Sequence, residues 1–305
     1  MNLQAKLLER FMRYVAITSQ SNAAVKTVPT TSGQRELAEL LKTELAELGL
    51  VDLEISEFSV LTGKLPANLP AGHHAVPDVG WVAHLDTVDV CLNADIHPHI
   101  VKNYQGGDIC LNEEKQIFLK VSEHPEIEKY IGQDIVVSDG TSVLGADDKA
   151  AIANVMVALE TLANDKTIYH GDIYVCFVPD EEIGLLGAKA IDFEKFPVDF
   201  AYTIDCCEQG EVVYETFNAG SAEVYIKGIT AHPMSAKGVL VNPTLVATDL
   251  VNSFDRMQTP EHTEGTEGYI WVTAINSNVS EARVNLVIRD HNKVLFEARK
   301  EQIKN

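Results

Sequence analysis

Residues 143–151 read VLGADDKAA and place two adjacent aspartates, Asp147 and Asp148, where a strand is expected to give way to a helix. The β-branched run 135–137 before them predicts a short strand, and residues 150–162 after them carry apolar side chains at helical spacing. Ligands of open α/β sheets bind outside the carboxyl ends of the strands. A carboxylate held at this turn is therefore well placed to bind a ligand or a metal ion.

Outward from this turn, three further apolar runs predict strands, and each is followed by a histidine or by carboxylates. These are residues 79–84 with His84, residues 172–178 with Glu181 and Glu182, and residues 200–204 with Asp205. Alternate side chains of an extended segment share a face, so Asp86 can lie beside His84 and orient it. One such strand end is ordinary, because exposed acids often follow strands, but four in succession favour a shared site.

Each of these features has an ordinary explanation when it is taken alone. A lone histidine on a strand more often belongs to a core, a Glu-Glu pair more often begins a solvated helix, and Asp147 with Asp148 could cap the following helix. Together, one imidazole and several carboxylates form a donor set that suits zinc, cobalt or manganese. Two cations need a bridging carboxylate and a free acid as general base, and Glu181 and Glu182 could divide the ligand and base roles.

The motifs of several other active sites are absent from the sequence. It contains no H-E-x-x-H, no G-x-x-x-x-G-K-[ST] and no G-x-G-x-x-G string. The nearest match to a serine nucleophile elbow, GTSVL at residues 140–144, has leucine where the second glycine is required. A serine hydrolase is therefore disfavoured.

Composition limits the partners and the compartment. The 305 residues are 46% hydrophobic, enough for one large or two ordinary domains, and 45 acidic against 24 basic residues give a net charge of −21. Nucleic acid and anionic membranes require clustered Lys and Arg, so neither is an expected partner. No signal peptide or membrane-spanning run is visible, and five cysteines without C-x-x-C spacing suit a reducing compartment, so a cytoplasmic protein is expected.

The order of the predicted elements favours an α/β fold with a central, mostly parallel sheet flanked by helices. The remaining predictions before residue 216 are helices at 3–15 and 36–48, a strand at 53–60, loops at 19–31 and 61–78, and loops with short strands at 92–134. From residue 220 onward the strands and helices carry no further acid cluster and predict a second, smaller α+β domain. The expected domains are residues 1–216 and residues 217–305.

The strings around these residues resemble the co-catalytic dizinc metallopeptidases, the family that includes aminoacylases and glutamate carboxypeptidases. The resemblance rests on HLDT at 84–87, SDGT at 138–141, LGADDK at 144–149 and PDEEIG at 179–184. It extends over essentially the whole chain through YQGGDI at 104–109, ETFNA at 215–219, HP at 232–233, AKG at 236–238, IRD at 288–290 and FEARK at 296–300. Several of these strings are typical of the tripeptide aminopeptidases within that family.

The resemblance implies a catalytic domain that binds two divalent metal ions, zinc in the first place and cobalt or manganese otherwise. Glu181 would be the general base and Asp86 would orient a histidine ligand. The implied reaction is the release of the N-terminal residue of a short peptide by attack of metal-activated water. The implied ligands are His84 and Asp205 on one metal, Glu182 on the other, and Asp147 as the bridge.

The resemblance also implies a role for the smaller domain as a lid that mediates homodimerisation. Its histidine, here His232, would assist at the scissile carbonyl, and Arg289 could receive the terminal carboxylate of a peptide through its planar guanidinium. The ordinary alternatives are a turn before Pro233 for the histidine and a surface ion pair for the arginine.

Two departures from the family pattern affect these expectations. Cys206 and Cys207 follow the metal aspartate, where the family has glycines. The family's chain also continues past the position of Asn305 and returns to the catalytic sheet with a final metal-binding histidine, so one metal position is expected to lack a ligand. Two alternatives to the tripeptide aminopeptidase therefore stay open, a non-catalytic metal-binding remnant and an N-acyl amino acid deacylase with the same dimetal chemistry.

Overall fold

The computed structural model describes residues 2–206 and 210–304. Contacts between its Cα atoms divide the chain into two compact units, Met1–Gln209 and Gly210–Asn305. None of the described helices is both long and apolar enough to cross a membrane.

The first unit contains three α-helices and nine strands among its described residues. The helices are α1 (Leu3–Val15), α2 (Ser32–Glu47) and α3 (Ala146–Asn164). The strands are β1 (Val51–Ile55), β2 (Leu61–Leu65), β3 (Val79–His84), β4 (Pro98–Val101), β5 (Ile109–Asn112), β6 (Ile117–Leu119), β7 (Ile135–Ser138), β8 (Ile173–Val178) and β9 (Phe200–Thr203).

Five of these strands form the central sheet, in the order β1-β2-β8-β3-β9. β3 runs parallel to both β8 and β9, whereas β2 runs antiparallel to both β1 and β8. The predicted α/β class is confirmed, but the sheet is mixed rather than mostly parallel. The reason is the short link between β1 and β2, because parallel strands need a crossover of a dozen or more residues.

The predicted strand at 53–60 was wrong in its bounds, and the same link between β1 and β2 explains why. The chain turns at residues 56–60, where the backbone N–H of Ser59 donates to the carbonyl of Ser56 (3.0 Å) and Ser59 takes a φ of +63°. The sequence after this turn, which was predicted to be irregular, returns as β2. Its pattern LTGKL contains too few apolar residues to indicate a strand, although the structure buries Leu61 and Leu65 in the main core.

The strand that precedes the Asp147 turn was predicted correctly, but it does not belong to the central sheet. β7 pairs antiparallel with β4 in a separate two-stranded sheet. The aspartates therefore reach the central sheet through α3, whose apolar residues Ile152 and Met156 are fully buried in the main core. A short apolar run indicates a strand but carries no information on its partner.

The core lies on both faces of β8. Ile173, Val175 and Phe177 point into the cluster formed with α1, α2 and α3, while Cys176 and Val178 join a second cluster on the opposite face. This accounts for the near-continuous apolar run in the sequence, because a strand covered on both faces has no solvated side. The prediction that Cys176 is a core residue is confirmed, and burial raises the pKa of its thiol to about 12.

The second unit is an antiparallel sheet with helices packed against it. Its elements are β10 (Asn218–Lys227), α4 (Pro243–Ser253), β11 (Tyr269–Ser277), β12 (Glu281–Asp290) and α5 (Lys293–Lys304). The sheet has the order β10-β12-β11, and Ala247 of α4 lies in the same buried cluster as Leu286 of β12.

Candidate metal centre

His84 lies at the carboxyl end of β3 and is 2% exposed. Its ring nitrogen Nε2 lies 2.7 Å from Oδ1 of Asp147, and its Nδ1 lies 3.3 Å from Oδ1 of Asp86. Its backbone N–H donates to Oδ2 of Asp148 at 3.0 Å. The two adjacent aspartates thus have different partners, one on the imidazole and the other on the main chain of the same histidine.

The sequence before α3 allows this approach because it contains a glycine at a crowded position. Gly145 has a φ of +71°, and a Cβ placed on it would lie 2.9 Å from the side chain of Ile96 and 3.1 Å from that of Thr87. Only glycine fits both the left-handed backbone and the close contact. The LGADD string therefore brings Asp147 next to the end of β3.

Asp86 is fully buried and connects two of the predicted strand ends. Its Oδ1 accepts the backbone N–H of Glu181 at 2.9 Å, and its Oδ2 accepts that of Glu182 at 3.2 Å. The same carboxylate lies beside the imidazole of His84. The residue predicted to orient the histidine therefore also fixes the backbone of the Glu181–Glu182 turn.

Two groups of possible metal ligands meet at His84 among the described residues. Ligand atoms of His84, Asp147 and Asp205 all lie within 4.8 Å of one another, and so do those of His84, Glu181 and Glu182. Every residue that the sequence suggested as a ligand or base in the first unit thus lies in or beside one cluster. Asp147 and Asp205 are exposed, whereas the two glutamates are partly buried.

The electrostatics of this cluster favour a bound cation. Burial, followed by the charge of Asp147, raises the pKa of Glu182 to about 7, and burial raises that of Asp148 to about 8. Burial alone would lower the pKa of His84, but its contacts with Asp147 and Asp86 outweigh that effect and raise it to about 11. Crowded carboxylates that disfavour their own ionisation provide a site that a divalent cation would stabilise.

The pKa values of Glu181 and Asp205 are raised as well, whereas the hydrogen bond with His84 lowers that of Asp147. Burial raises the pKa of Glu181, with the charge of Asp205 adding to it, and burial followed by the charge of Asp147 raises the pKa of Asp205. Among the described residues the two groups offer carboxylate oxygens and an imidazole nitrogen, donors that zinc, cobalt and manganese accept in catalytic sites. The residues present therefore fit a divalent metal.

Two buried residues of the ADDK string, Asp148 and Lys149, were not predicted as separate parts of the site. Asp148 was considered only together with its neighbour, yet it holds the backbone of His84. Lys149 is fully buried, and its Nζ donates to the carbonyl of Ile17 at 2.6 Å. Burial lowers the pKa of this ammonium group to about 7. A charged residue directly inside an apolar helix is the sequence feature that could have indicated the buried Lys149.

The two residues predicted to contact substrate, His232 and Arg289, lie in the second unit. His232 is exposed, and its Nδ1 accepts the backbone N–H of Met234 at 3.3 Å, as expected for a turn before Pro233. The guanidinium of Arg289 lies 4.7 Å from the ring centroid of Phe217, beside a pocket of about 340 Å³. Neither observation tests the predicted contact with a peptide.

The cysteines near Asp205 are only partly described. Cys206 is a free, exposed cysteine, and Cys207 lies outside the described residues.

Comparison with known proteins identifies matches to two family models. Residues 214–305 match the peptidase dimerisation domain, and residues 97–246 match the M42 glutamyl aminopeptidase model. A peptidase T-like protein of Yersinia pestis is 54% identical over 301 residues, which are 99% of this chain and 72% of that protein. Peptidase T of Clostridium botulinum strain Okra is 46% identical over 298 residues, which are 98% of this chain and 72% of that protein.

Two solved structures share the fold at low sequence identity. A tripeptidase from Staphylococcus aureus superposes with a TM-score of 0.71 at 22% identity, covering 100% of this chain and 70% of that one. The aminopeptidase PepT from Bacillus cereus superposes with a TM-score of 0.68 at 23% identity, covering 100% of this chain and 71% of that one.

Proposed function

This chain belongs to the family of peptidase T and peptidase T-like proteins, and we propose that it is a metal-dependent aminopeptidase that releases the N-terminal residue of tripeptides. The resemblance to dizinc metallopeptidases noted in the sequence is confirmed at the level of the family. The observation that carries the proposal is the convergence of two ligand groups on His84. An exposed acidic patch would not require a buried imidazole between its carboxylates.

The donor set supports two divalent cations, and the proposed ions are zinc, with cobalt or manganese as alternatives. The group of His84, Asp147 and Asp205 would hold one cation, and Glu182 would hold the other, with Asp147 as the bridge. When bound, a pair of such cations supplies Lewis acidity that polarises a carbonyl and lowers the pKa of water.

Glu181 is the proposed general base. Its backbone N–H is held by Asp86, and its carboxylate lies among the ligand atoms of His84 and Glu182. Burial raises its pKa, which moves the carboxylate towards the range in which it can both accept a proton from water and return it to the leaving amine. Asp86, which binds no substrate in this scheme, keeps the base and the histidine in a fixed geometry.

The second unit is proposed to form the lid and the dimer contact. Its match to the peptidase dimerisation domain over residues 214–305 supports a homodimer formed through residues 217–305, with residues 1–216 as the catalytic domain. We further propose that His232 assists at the scissile carbonyl and that Arg289 binds the terminal carboxylate of the peptide. The aromatic support of Phe217 under the guanidinium would favour a fixed orientation for such a contact.

A cytoplasmic location is proposed for the same enzyme. The described cysteines Cys91, Cys110, Cys176 and Cys206 are all free thiols, which suits a reducing compartment.

The test of the function separates the base from the metal ligands. Glu181→Ala should lower kcat on a free-amine tripeptide by about 100-fold or more, because it removes the proton acceptor, while zinc binds in calorimetric titration as it does to the unsubstituted chain. Glu194→Ala, an exposed glutamate of the same unit, is the matched control and should leave kcat unchanged. Full turnover by Glu181→Ala would remove Glu181 from the mechanism.

The substrate is tested with the unsubstituted chain. A panel that pairs each tripeptide with its N-acylated form should show hydrolysis of the free-amine member. Hydrolysis of only the acylated member, or metal binding without any hydrolysis, would contradict the proposed activity.

A further inference from the structure

Asp180 comes immediately before the two glutamates and is fully buried. Its carboxylate accepts the backbone N–H of Thr30 at 2.8 Å, the hydroxyl of Thr30 at 2.5 Å and the side-chain amide of Gln34 at 2.7 Å. Its own N–H donates to Oε1 of Gln34 at 2.9 Å. Residues about 150 positions earlier in the chain therefore satisfy this aspartate on both its side chain and its backbone.

These hydrogen bonds hold a backbone conformation that is uncommon for residues other than glycine. Asp180 has a φ of +53°, in the left-handed region that usually favours glycine. Such a residue persists only where the surrounding structure fixes it, and a buried carboxylate requires hydrogen-bond donors. Thr30 and Gln34 supply those donors, so the turn that follows Asp180 depends on them.

The turn is held from its other side by Asp86, which accepts the N–H groups of Glu181 and Glu182. A backbone hydrogen bond closes the turn, because the N–H of Gly187 donates to the carbonyl of Pro179 at 3.0 Å. A Cβ on Gly187 would lie 2.1 Å from that carbonyl oxygen. Asp86 follows the end of β3, whereas Thr30 immediately precedes the N-cap of α2 and Gln34 lies in its first turn, so two different parts of the chain determine where the glutamates lie.

The segment before α2 also contacts the residues that come directly after β3. The hydroxyl of Ser19 donates to the carbonyl of Leu85 at 2.7 Å, and the backbone N–H of Ser21 donates to the carbonyl of Thr87 at 3.0 Å. The stretch that the sequence indicated as a plain loop therefore contacts two of the strand ends that build the site. It links the histidine-bearing end to the glutamate-bearing end.

We propose that Thr30 and Gln34 are positioning residues, which hold Asp180 and thereby fix the location of the Glu181–Glu182 turn. Their importance for catalysis rests on the proposed function, in which Glu181 is the base and Glu182 a metal ligand. A misplacement of about 1 Å in a reacting group can lower a rate by about 100-fold, so an indirect contact of this kind can have a large effect.

The first test measures local opening and needs no activity. Thr30→Val removes the hydrogen bond from the Thr30 hydroxyl to Asp180 at nearly constant volume. Gln34→Leu, also at nearly constant volume, removes both the amide donor to the Asp180 carboxylate and the acceptor of the Asp180 N–H. Amide hydrogen exchange of the full chain, measured without metal on fragments spanning residues 179–187, should become about tenfold faster or more at the amides of Glu181 and Glu182. Thr30→Ser keeps the hydroxyl and should exchange like the unsubstituted chain.

The control removes a buried hydrogen bond from the other end of the same helix. The hydroxyl of Tyr14 donates to Oε2 of Glu44 at 2.7 Å, and Tyr14→Phe abolishes that bond without touching Asp180. Exchange at residues 179–187 should not change in this variant. If Tyr14→Phe speeds it as much as Thr30→Val does, or if neither Thr30→Val nor Gln34→Leu speeds it, the positioning role is wrong.

The second test links the contact to catalysis. On a tripeptide, Thr30→Val and Gln34→Leu should lower kcat by about tenfold to 100-fold and leave KM within about threefold, because the base moves while the substrate contacts remain. Thr30→Ser should restore kcat. Faster exchange in a chain whose unsubstituted form hydrolyses no peptide would contradict the proposed function and support the positioning role. Faster exchange with kcat unchanged would overturn the role of Thr30 and Gln34 in catalysis.

Discussion

The acids on the two sides of His84 differ in burial and in what they bind. Asp86 and Asp148 are 0% and 3% exposed, and each accepts backbone N–H groups, whereas the side chain of Asp147 is 64% exposed and Asp205 is exposed. A buried carboxylate is stable only with hydrogen-bond donors around it, while an exposed one keeps lone pairs available for a cation. We therefore expect the first pair to fix the geometry and the second pair to bind the metal.

Asp86→Ala should have the largest effect, because one carboxylate serves three partners. Its loss leaves the N–H groups of Glu181 and Glu182 without their acceptor and removes the contact with His84. We expect the free energy of unfolding to fall by about 3 kcal/mol and tripeptide hydrolysis to be abolished, measured by urea denaturation and by peptide assay.

The control for that variant is Asp89→Ala, three residues further along. Asp89 also accepts a backbone N–H, that of Cys91 at 2.9 Å, but it is exposed. Its replacement should change stability little and leave hydrolysis intact. Equal losses in the two variants would mean that burial is not what distinguishes the two kinds of acid.

Removal of the metal should affect the exposed acids, Asp147 and Asp205. Dialysis against a chelator leaves the crowded carboxylates without a cation, and a ligand that binds only the folded state at roughly 100 times its Kd stabilises by about 2.7 kcal/mol. We therefore expect a lower Tm in chelator and its recovery on addition of zinc, followed by calorimetry. A Tm that does not respond to zinc would contradict metal binding at this cluster.

The adjacent pair Asp147 and Asp148 allows the most direct separation of the two roles. Without metal, Asp148→Ala should destabilise the fold by about 1–3 kcal/mol, because the N–H of His84 loses its buried acceptor. Asp147→Ala should change stability by less than about 1 kcal/mol. Zinc titration should show the reverse order, with the greater loss of affinity in Asp147→Ala.

The strand ends of the site could be predicted because they depend on local pattern. β3 was expected at residues 79–84 and forms at Val79–His84, and the apolar run at 172–178 became β8 with both faces covered. A continuous apolar run has few stable solutions other than a buried strand. The α/β fold class that follows from these runs is confirmed, while the metal-binding roles of the side chains stay predictions.

The supporting contacts could not be predicted, because they join residues far apart in sequence. Nothing local to Asp180 indicates that Thr30 and Gln34 surround it, and its left-handed backbone has no glycine to signal it. The pairing of β7 with β4 instead of the central sheet was missed for the same reason. Pattern identifies an element and its faces, whereas its partners depend on tertiary packing.

Asp205→Asn, at one of the two exposed acids, should have the smallest effect on stability. The asparagine keeps the size of the aspartate but removes its charge. That charge lies close to Asp147, and the proximity of the two helps to raise the pKa of Asp205. Without metal, we expect the free energy of unfolding to be unchanged or to rise by a few tenths of a kcal/mol. Zinc affinity should fall by at least about tenfold. Replacement of a residue that only orients a ligand already lowers metal affinity by about that factor, and Asp205 is proposed as a ligand itself. A loss of stability as large as that of Asp148→Ala would show that Asp205 supports the fold and that exposure does not separate the two kinds of acid.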